Sequence, residues 1–498
     1  MPRIVILPVC LALLAAAPVA LGQTTVEPPP QPVPPPAVAT TLGVPSTLEN
    51  GQPDPSVLYP TIRPGDGGQP VAAPTVCPTC DKPPESFWTR PTMTGDWGGL
   101  RPRLQDRGVT FQGNVTQFFY GLDGGVNRAL PFPGFPLQPD NSLSYTGRGD
   151  YAFTFDLEKL GSPLPKGQLL VRAQNWWGQF GNVSLPTGSL SLPVVAAATP
   201  VVPNDPGTPF ITDFLLTQPL SKNWVVFMGK KSMLGAVDQD DFAGGNGINQ
   251  FSNFGLVGNP SLLLAMPYSS FTAGMVSPRE WGSVTAYVLD PQDRTKNFFS
   301  LDSLFSQGII LGGEVKVKTS FFNLPGEQHV GGIYKNVQLT DLRFNEPPPG
   351  QYPETAVPGF PTLRNSYTIY YGFDQYVQVY SEDTKRGWGL FGRASVSDGN
   401  PTPIRYFLSA GIGGYSPFRY REGDTFGIGW YYLGASNQFG PLPRVLIGPT
   451  DGWGTELYYN VQLTPWMNLT TDFQIVQPGS RAIANTAYIA GIRLNLKF

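Results

Sequence analysis

The sequence predicts an all-β protein: a transmembrane antiparallel β-barrel of about sixteen strands, with a short N-terminal helix and a proline-rich segment ahead of it. Three observations carry this expectation. The end of the chain alternates strictly: Phe498, Leu496, Leu494, Ile492, Ala490 and Tyr488 are apolar or aromatic, and Lys497, Asn495 and Arg493 stand between them. A strand points successive side chains to opposite faces, so this run has one greasy and one charged face. Second, charged residues make up only 14 % of the chain, while aromatics reach 12 % and Gly and Pro number 58 and 54. Ordinary soluble domains carry about 25 % charged residues, so much of this surface meets something other than water. Third, beyond the N-terminus no stretch holds about 20 consecutive apolar residues. A chain that crosses a membrane without such helices must do so as a closed barrel, because an open sheet edge cannot face lipid.

Residues 1–22 read as a secretory signal peptide: Arg3, an apolar run from Ile4 to Leu14, then small residues up to Gly22. Residues 23–91 form a linker. Positions 21 to 90 hold 17 of the 54 prolines and show no periodicity, so this stretch is expected as extended, polyproline-like chain. It contains Cys77 and Cys80. A thioredoxin-type redox motif needs a βαβ context, and a metal knuckle needs a second pair; both are missing. The pair is expected as a small disulfide loop in an oxidising compartment, with intermolecular pairing left open. Residues 92–498 are expected to form the barrel.

The folded part begins with a helix signal. Thr94 or Asp96 could cap it, Leu100 and Leu104 share one face, and Gly108 is a suitable stop. Pro102 belongs in a first turn, which moves the start toward Arg101. Arg101, Arg103 and Arg107 are expected on a solvated face at one end of the barrel. Strands then recur. Val115, Gln117 and Phe119 open the series, Tyr151, Phe153 and Phe155 follow, and Val171 and Ala173 come next. Later runs include 284–288, 311–318, 388–397, 426–432, 457–463 and 467–475, with weaker ones near 211–217, 223–230, 270–276, 328–335, 366–380 and 404–415. Residues 185–209, 290–306 and 343–364 are long enough to be extracellular loops. Asp238, Asp240 and Asp241 are expected in a solvated acidic loop. Calcium would want carboxylate oxygens there, but the EF-hand spacing is absent.

Composition excludes several functions. Lys plus Arg number 33 and Asp plus Glu 36, so there is no basic excess to hold nucleic acid. The one histidine, His329, is expected as a plain strand or loop residue. A Ser/His/Asp set or a zinc site asks for more, so no enzyme, metal or cofactor is expected. In a barrel of this size the inward faces line a wet lumen. The inward register holds Asp156, Glu158, Arg172, Gln174, Trp176, Glu314, Arg393, Glu456, Tyr458, Asn460, Asp472, Gln474 and Arg493. This mix of charges, amides and aromatic rings suits sugars, which are neutral, dense in hydroxyls, and carry apolar C–H faces. Arg172, Trp176, Arg393, Glu456, Tyr458, Asp472 and Arg493 are the candidate pore-lining residues, with Arg393 and Arg172 first.

Four stretches carry a family resemblance. They are MTGDWGGLRPRLQDRGVTFQGNVTQ (Met93–Gln117), FMGKKSMLGAVDQDDFAG (Phe227–Gly244), the FGRA core around Arg393, and ELYYNVQLTPWMNLTTDFQIVQPGS (Glu456–Ser480) with the closing GIRLNLKF. They resemble the carbohydrate-selective porins, the OprB family. The resemblance runs from about Thr94 to Phe498 and leaves out the proline-rich segment. It implies passive uptake of mono- and oligosaccharides across a Gram-negative outer membrane, through a constriction of charged and aromatic side chains. Outer-membrane lipid would then wet the apolar faces, and Phe498 would be the signal for the barrel-assembly machinery. A closed barrel that serves as an anchor or adhesin is the alternative. The sequence leaves open the preferred sugar, the oligomeric state and the loop that narrows the pore.

Overall fold

The structure, a computed structural model, describes residues 86–127, 143–188, 197–198, 207–233, 236–244, 246–297, 301–343, 361–380 and 386–498. The expected signal peptide, nearly all of the linker, and Cys77 with Cys80 lie outside the described residues.

The strands are β1 (Val109–Val126), β2 (Leu143–Asp156), β3 (Gln168–Gly178), β4 (Phe210–Ser221), β5 (Trp224–Ser232), β6 (Ser269–Arg279), β7 (Gly282–Leu289), β8 (Gly308–Thr319) and β9 (Gly326–Val337). A two-strand ribbon follows, β10 (Leu339–Thr340) and β11 (Thr362–Leu363). Then come β12 (Ser366–Val379), β13 (Gly387–Ser397), β14 (Ile404–Tyr415), β15 (Thr425–Ala435), β16 (Gly452–Thr464), β17 (Met467–Gln477) and β18 (Ala484–Lys497). All but the ribbon join one closed sheet of sixteen strands, each antiparallel to its neighbours. The closure runs between β18 and β1, in a register from Asn114↔Lys497 to Val126↔Ala484. With no free edge, every wall strand has its backbone groups paired on both sides, as lipid requires.

Alternation decides which way each residue points. Phe119, Phe153, Leu311, Ile369, Leu390, Ile428, Leu457, Phe473 and Ile492 are exposed on the outer wall. Their strand neighbours Phe118, Glu314, Tyr370, Phe391, Arg393, Glu456, Asp472 and Arg493 are buried on the inner one. All sixteen expected strand runs are strands, and those read with an alternation have the facing that it gave. Turns at one end are short, such as 222–223 between β4 and β5 and 280–281 between β6 and β7, and the connections at the other end are long.

The helix α1 covers Leu100–Asp106, with Pro102 in its first turn, where the missing N–H is no loss. Neither Thr94 nor Asp96 caps it. The N-cap is Gly99 in left-handed conformation, and the Asp96 carboxylate takes the Gly98 N–H at 3.1 Å instead. Gly108 ends the helix at φ +89°, where a Cβ would lie 2.8 Å from Lys159. Arg101 departs from the expected solvated face. It is half-buried and donates to the main-chain oxygens of Phe111 and Phe498, both at 2.9 Å, and to Thr92 Oγ1 at 2.8 Å. The reason is position: α1 lies where β1 meets β18, and Arg101 ties the two together. Met93 N–H adds a bond to Lys497 O at 2.8 Å, and Phe498 N–H one to Gly113 O at 2.8 Å.

One consequence is testable on the outer wall. Ile492→Arg tests whether this wall meets lipid: a charge there should cost about 2–4 kcal/mol near the bilayer midplane and less toward the interfaces. Equilibrium unfolding in lipid bilayers measures it; a cost near zero would mean that this face does not meet hydrocarbon.

Candidate pore constriction

The connection from β5 to β6, residues 233–268, does not extend outward. It folds into the barrel, and nearly all of its described residues are buried. Two short helices give it shape: α2 (Phe254–Val257) and α3 (Pro260–Ala265). Each starts at an asparagine that accepts a main-chain N–H, Asn253 from Gly255 at 2.9 Å and Asn259 from Ser261 at 3.1 Å. Such side chains satisfy the unpaired donors of a helix start. Apolar residues of the segment meet inward aromatics of the wall. The Phe251 ring lies edge-on to Tyr458 at 4.9 Å and to Phe391 at 5.6 Å.

The rest of the segment is irregular chain; it makes a few bonds of its own, such as Gly244 N–H to Leu256 O at 3.0 Å, and the wall supplies many of the others. Three wall arginines grip main-chain oxygens. Arg393 on β13 donates to Leu256 O at 2.8 Å and Ala243 O at 2.9 Å. Arg493 on β18 donates to Gly247 O at 2.8 Å and Gln250 O at 2.6 Å. Arg148 on β2 reaches Asn246 O at 3.3 Å. Wall carboxylates take main-chain N–H groups. Glu456 accepts from Ser252 at 2.7 Å and Asn253 at 2.9 Å, Glu314 from Asp238 at 2.9 Å, and Asp374 from Asp241 at 3.1 Å. Gln474 bonds the side chains of Asn253 at 3.0 Å and Ser252 at 2.9 Å.

Asp238, Asp240 and Asp241 are therefore not a solvated loop. Asp238 and Asp240 are buried against Arg393, whose Nε lies 2.8 Å from Asp240 and 3.5 Å from Asp238, and His329 Nε2 is 3.0 Å from Asp238. Asp241, half-buried, accepts from Tyr376 OH at 3.2 Å. Asp238 and Asp240 are drawn in because the buried Arg393 needs carboxylates beside it. Burial pushes the Asp240 carboxyl up from its ordinary value, with Arg393 and His329 pulling it down.

The candidate residues fall in three places on the wall. Glu456, Tyr458, Asp472 and Arg493 come together on β16, β17 and β18, with Arg493 Nη2 3.1 Å from Asp472 and 4.0 Å from Glu456. Arg393 stands apart on β13, under the same inserted segment. Arg172 and Trp176 lie on β3. Arg172 pairs with Asp213 of β4 at 3.5 Å and keeps 14 % of its side chain exposed. Trp176 is buried, edge-on to Phe210 at 5.1 Å and to Tyr268 at 5.5 Å. Asp156 and Glu158 sit at the β2–β3 turn, where their carboxylates take the main-chain N–H groups of Lys159 at 3.2 Å and Lys166 at 2.8 Å. The sequence reading passed over Arg148, Asp374 and the segment itself, and it took His329 for a plain strand or loop residue, whereas it is buried against Asp238. The available signal was a long connection without alternation that contains Asn253 and the helix-start pair Asn259-Pro260.

A closed antiparallel barrel of sixteen strands with an inward-folded connection defines an outer-membrane porin. Residues 226–498 match the carbohydrate-selective porin, OprB family, and the chain belongs to that family. That places it in the outer membrane of a Gram-negative bacterium, among channels rather than enzymes. Porin B of Pseudomonas aeruginosa is 23 % identical over 455 residues, spanning 83 % of this chain and 92 % of that one. Putative porin QuiX of Acinetobacter baylyi is 22 % identical over 464 residues, spanning 83 % and 94 %. The solved high-pH structure of Pseudomonas putida OprB shares the fold with a TM-score of 0.69 at 19 % identity, covering 83 % of this chain and 100 % of that one.

Arg393→Ala should free the inserted segment and leave Asp240 buried without its closest cation, a loss of about 3–5 kcal/mol for a broken buried pair. Single-channel recording should show a larger and noisier conductance. Arg393→Lys should fall between, since one ammonium cannot copy the planar guanidinium fork. Wild-type conductance in the alanine variant, with the barrel inserted, would show that Arg393 does not hold the segment.

Proposed function

We propose that the protein passes sugars by passive diffusion through the part of the bore beside the inserted segment. The observation that carries this is the segment itself, gripped through its main-chain oxygens and N–H groups by charges around the wall. A narrowing held that way keeps one width, and pore width together with lining groups sets selectivity. The inner-wall side chains that keep some exposure support sugar as the cargo. Arg172 is one, and the Lys316–Glu327 pair, 2.8 Å apart and 13 % and 32 % exposed, is another. Donors and acceptors stand within one lining, which suits hydroxyls better than ions of one sign. On this reading Arg393, Arg493, Glu456 and Asp472 act on the sugar through the segment they hold, while Arg172 meets it directly.

The same reading assigns the outer band to lipid and Phe498 to the barrel-assembly machinery. Deleting Phe498 removes its bonds to Gly113 and Arg101, and should lower the inserted fraction on heat-modifiable gels while synthesis continues. Normal insertion would remove Phe498 from that role.

Planar-bilayer recording and liposome swelling test the function together. Purified protein should form steady channels, glucose-sized sugars should permeate, and added sugar should reduce the ion current. Arg172→Ala should weaken that block without the added noise expected of Arg393→Ala. Absence of channels in a correctly inserted barrel would overturn the proposal in favour of an anchoring barrel.

A further inference from the structure

The only histidine in the sequence sits at the clasp between wall and segment. His329 is on the inner face of β9 and almost fully buried. Its Nε2 is 3.0 Å from Asp238 and its Nδ1 3.7 Å from Asp240. A glycine on the neighbouring strand β12 makes the seat: a Cβ on Gly372 would lie 2.4 Å from the imidazole ring.

The charges that face this point come from four wall strands and the segment. On β8, Glu314 is occupied by the Asp238 N–H and by Tyr370 OH of β12, each at 2.9 Å. Lys316, also on β8, is held by Glu327 of β9 at 2.8 Å and by Gln239 O at 3.1 Å. Asp374 of β12 takes the Asp241 N–H. That leaves Asp238 and Asp240 of the segment to Arg393 of β13 and to His329. Two carboxylates thus face one permanent cation and one that titrates. Glu314 keeps its own charge, since an N–H and a hydroxyl do not cancel it, so carboxylates outnumber cations here and the imidazolium reduces the excess. Without its proton, two carboxylates share one guanidinium in a site closed to water, and the segment is held less firmly.

We propose that His329 is a positioning residue for the constriction, and that its proton sets how tightly residues 233–268 are held across the bore. This rests on the reading of the barrel as a diffusion channel. His329 touches no sugar on this account and acts through Asp238 and Asp240. Its pH dependence has a sign. The clasp is complete while the imidazole is protonated and loosens as pH rises through its titration, so conductance should step upward on the alkaline side.

The test is single-channel recording from about pH 5 to about pH 10, spanning the range in which histidine titrates. Inserted wild-type protein should show an alkaline rise that reverses on return. His329→Gln should lose that step and stay at the wild-type alkaline level throughout. His329→Lys, which keeps a cation, should also lose the step but stay at the lower level. Should His329→Gln fail to insert, as judged by the heat-modified gel shift, Asp238→Asn should show the same loss of the step. A wild-type profile without an alkaline rise, or variants that reproduce it, would overturn the proposal. Swelling assays with glucose on the same samples separate the two readings: sugar permeation with identical pH profiles sinks the role of His329 alone, and no permeation sinks the channel reading as well.

Discussion

The structure depends on one requirement: the main chain of an irregular segment inside a membrane barrel must find partners for its N–H and C=O groups. Strands of the wall satisfy one another around the closed sheet, but residues 233–268 have no strand to pair with. Irregular backbone is tolerated at membrane depth only where protein or an aqueous cavity supplies those bonds. Here the wall supplies them with charged side chains. Arginines meet carbonyl oxygens and carboxylates meet N–H groups, and bonds of that kind are shorter and stronger than neutral ones. The segment is therefore fixed by its backbone as well as by Phe251 packing against Phe391 and Tyr458.

Arginine is suited to this task for a physical reason. Arg393 serves two carbonyl oxygens through its terminal nitrogens while its Nε faces Asp240. Five donors in a rigid plane allow such division of labour, and a lysine ammonium cannot span the same three acceptors. The burial cost of each guanidinium is met by carboxylates from both sides, Asp472 and Glu456 from the wall for Arg493, and Asp238 and Asp240 from the segment for Arg393. Removing one member would leave the others uncompensated.

Much of the fold was legible in the sequence because strand alternation is a local property. The parity that puts Leu390 and Val396 on the outer wall puts Arg393 on the inner one, and no tertiary information is needed for that step. Alternation reports a face, however, and says nothing of what covers it. Arg393, Glu456 and Arg493 read equally well as residues facing water and as residues facing a buried segment. The acidic run at Asp238–Asp241 misled for the same reason: three carboxylates in a connection look solvated until the arginines opposite are known. Arg148 was hidden by its surroundings, since the glycines on either side of it break the alternation. His329 gave no sign at all, because its meaning comes from Asp238, 91 positions away.

The segment engages some charges of the inner wall more closely than others. Arg148, Arg393 and Arg493 are buried and turned to backbone oxygens and carboxylates. Arg172 differs because Asp213 faces it at 3.5 Å, a looser contact than the 2.8 Å between Arg393 and Asp240. Lys316 is shared between the segment, through Gln239 O, and the partly exposed Glu327. It therefore couples the grip on the segment to the lining beside it.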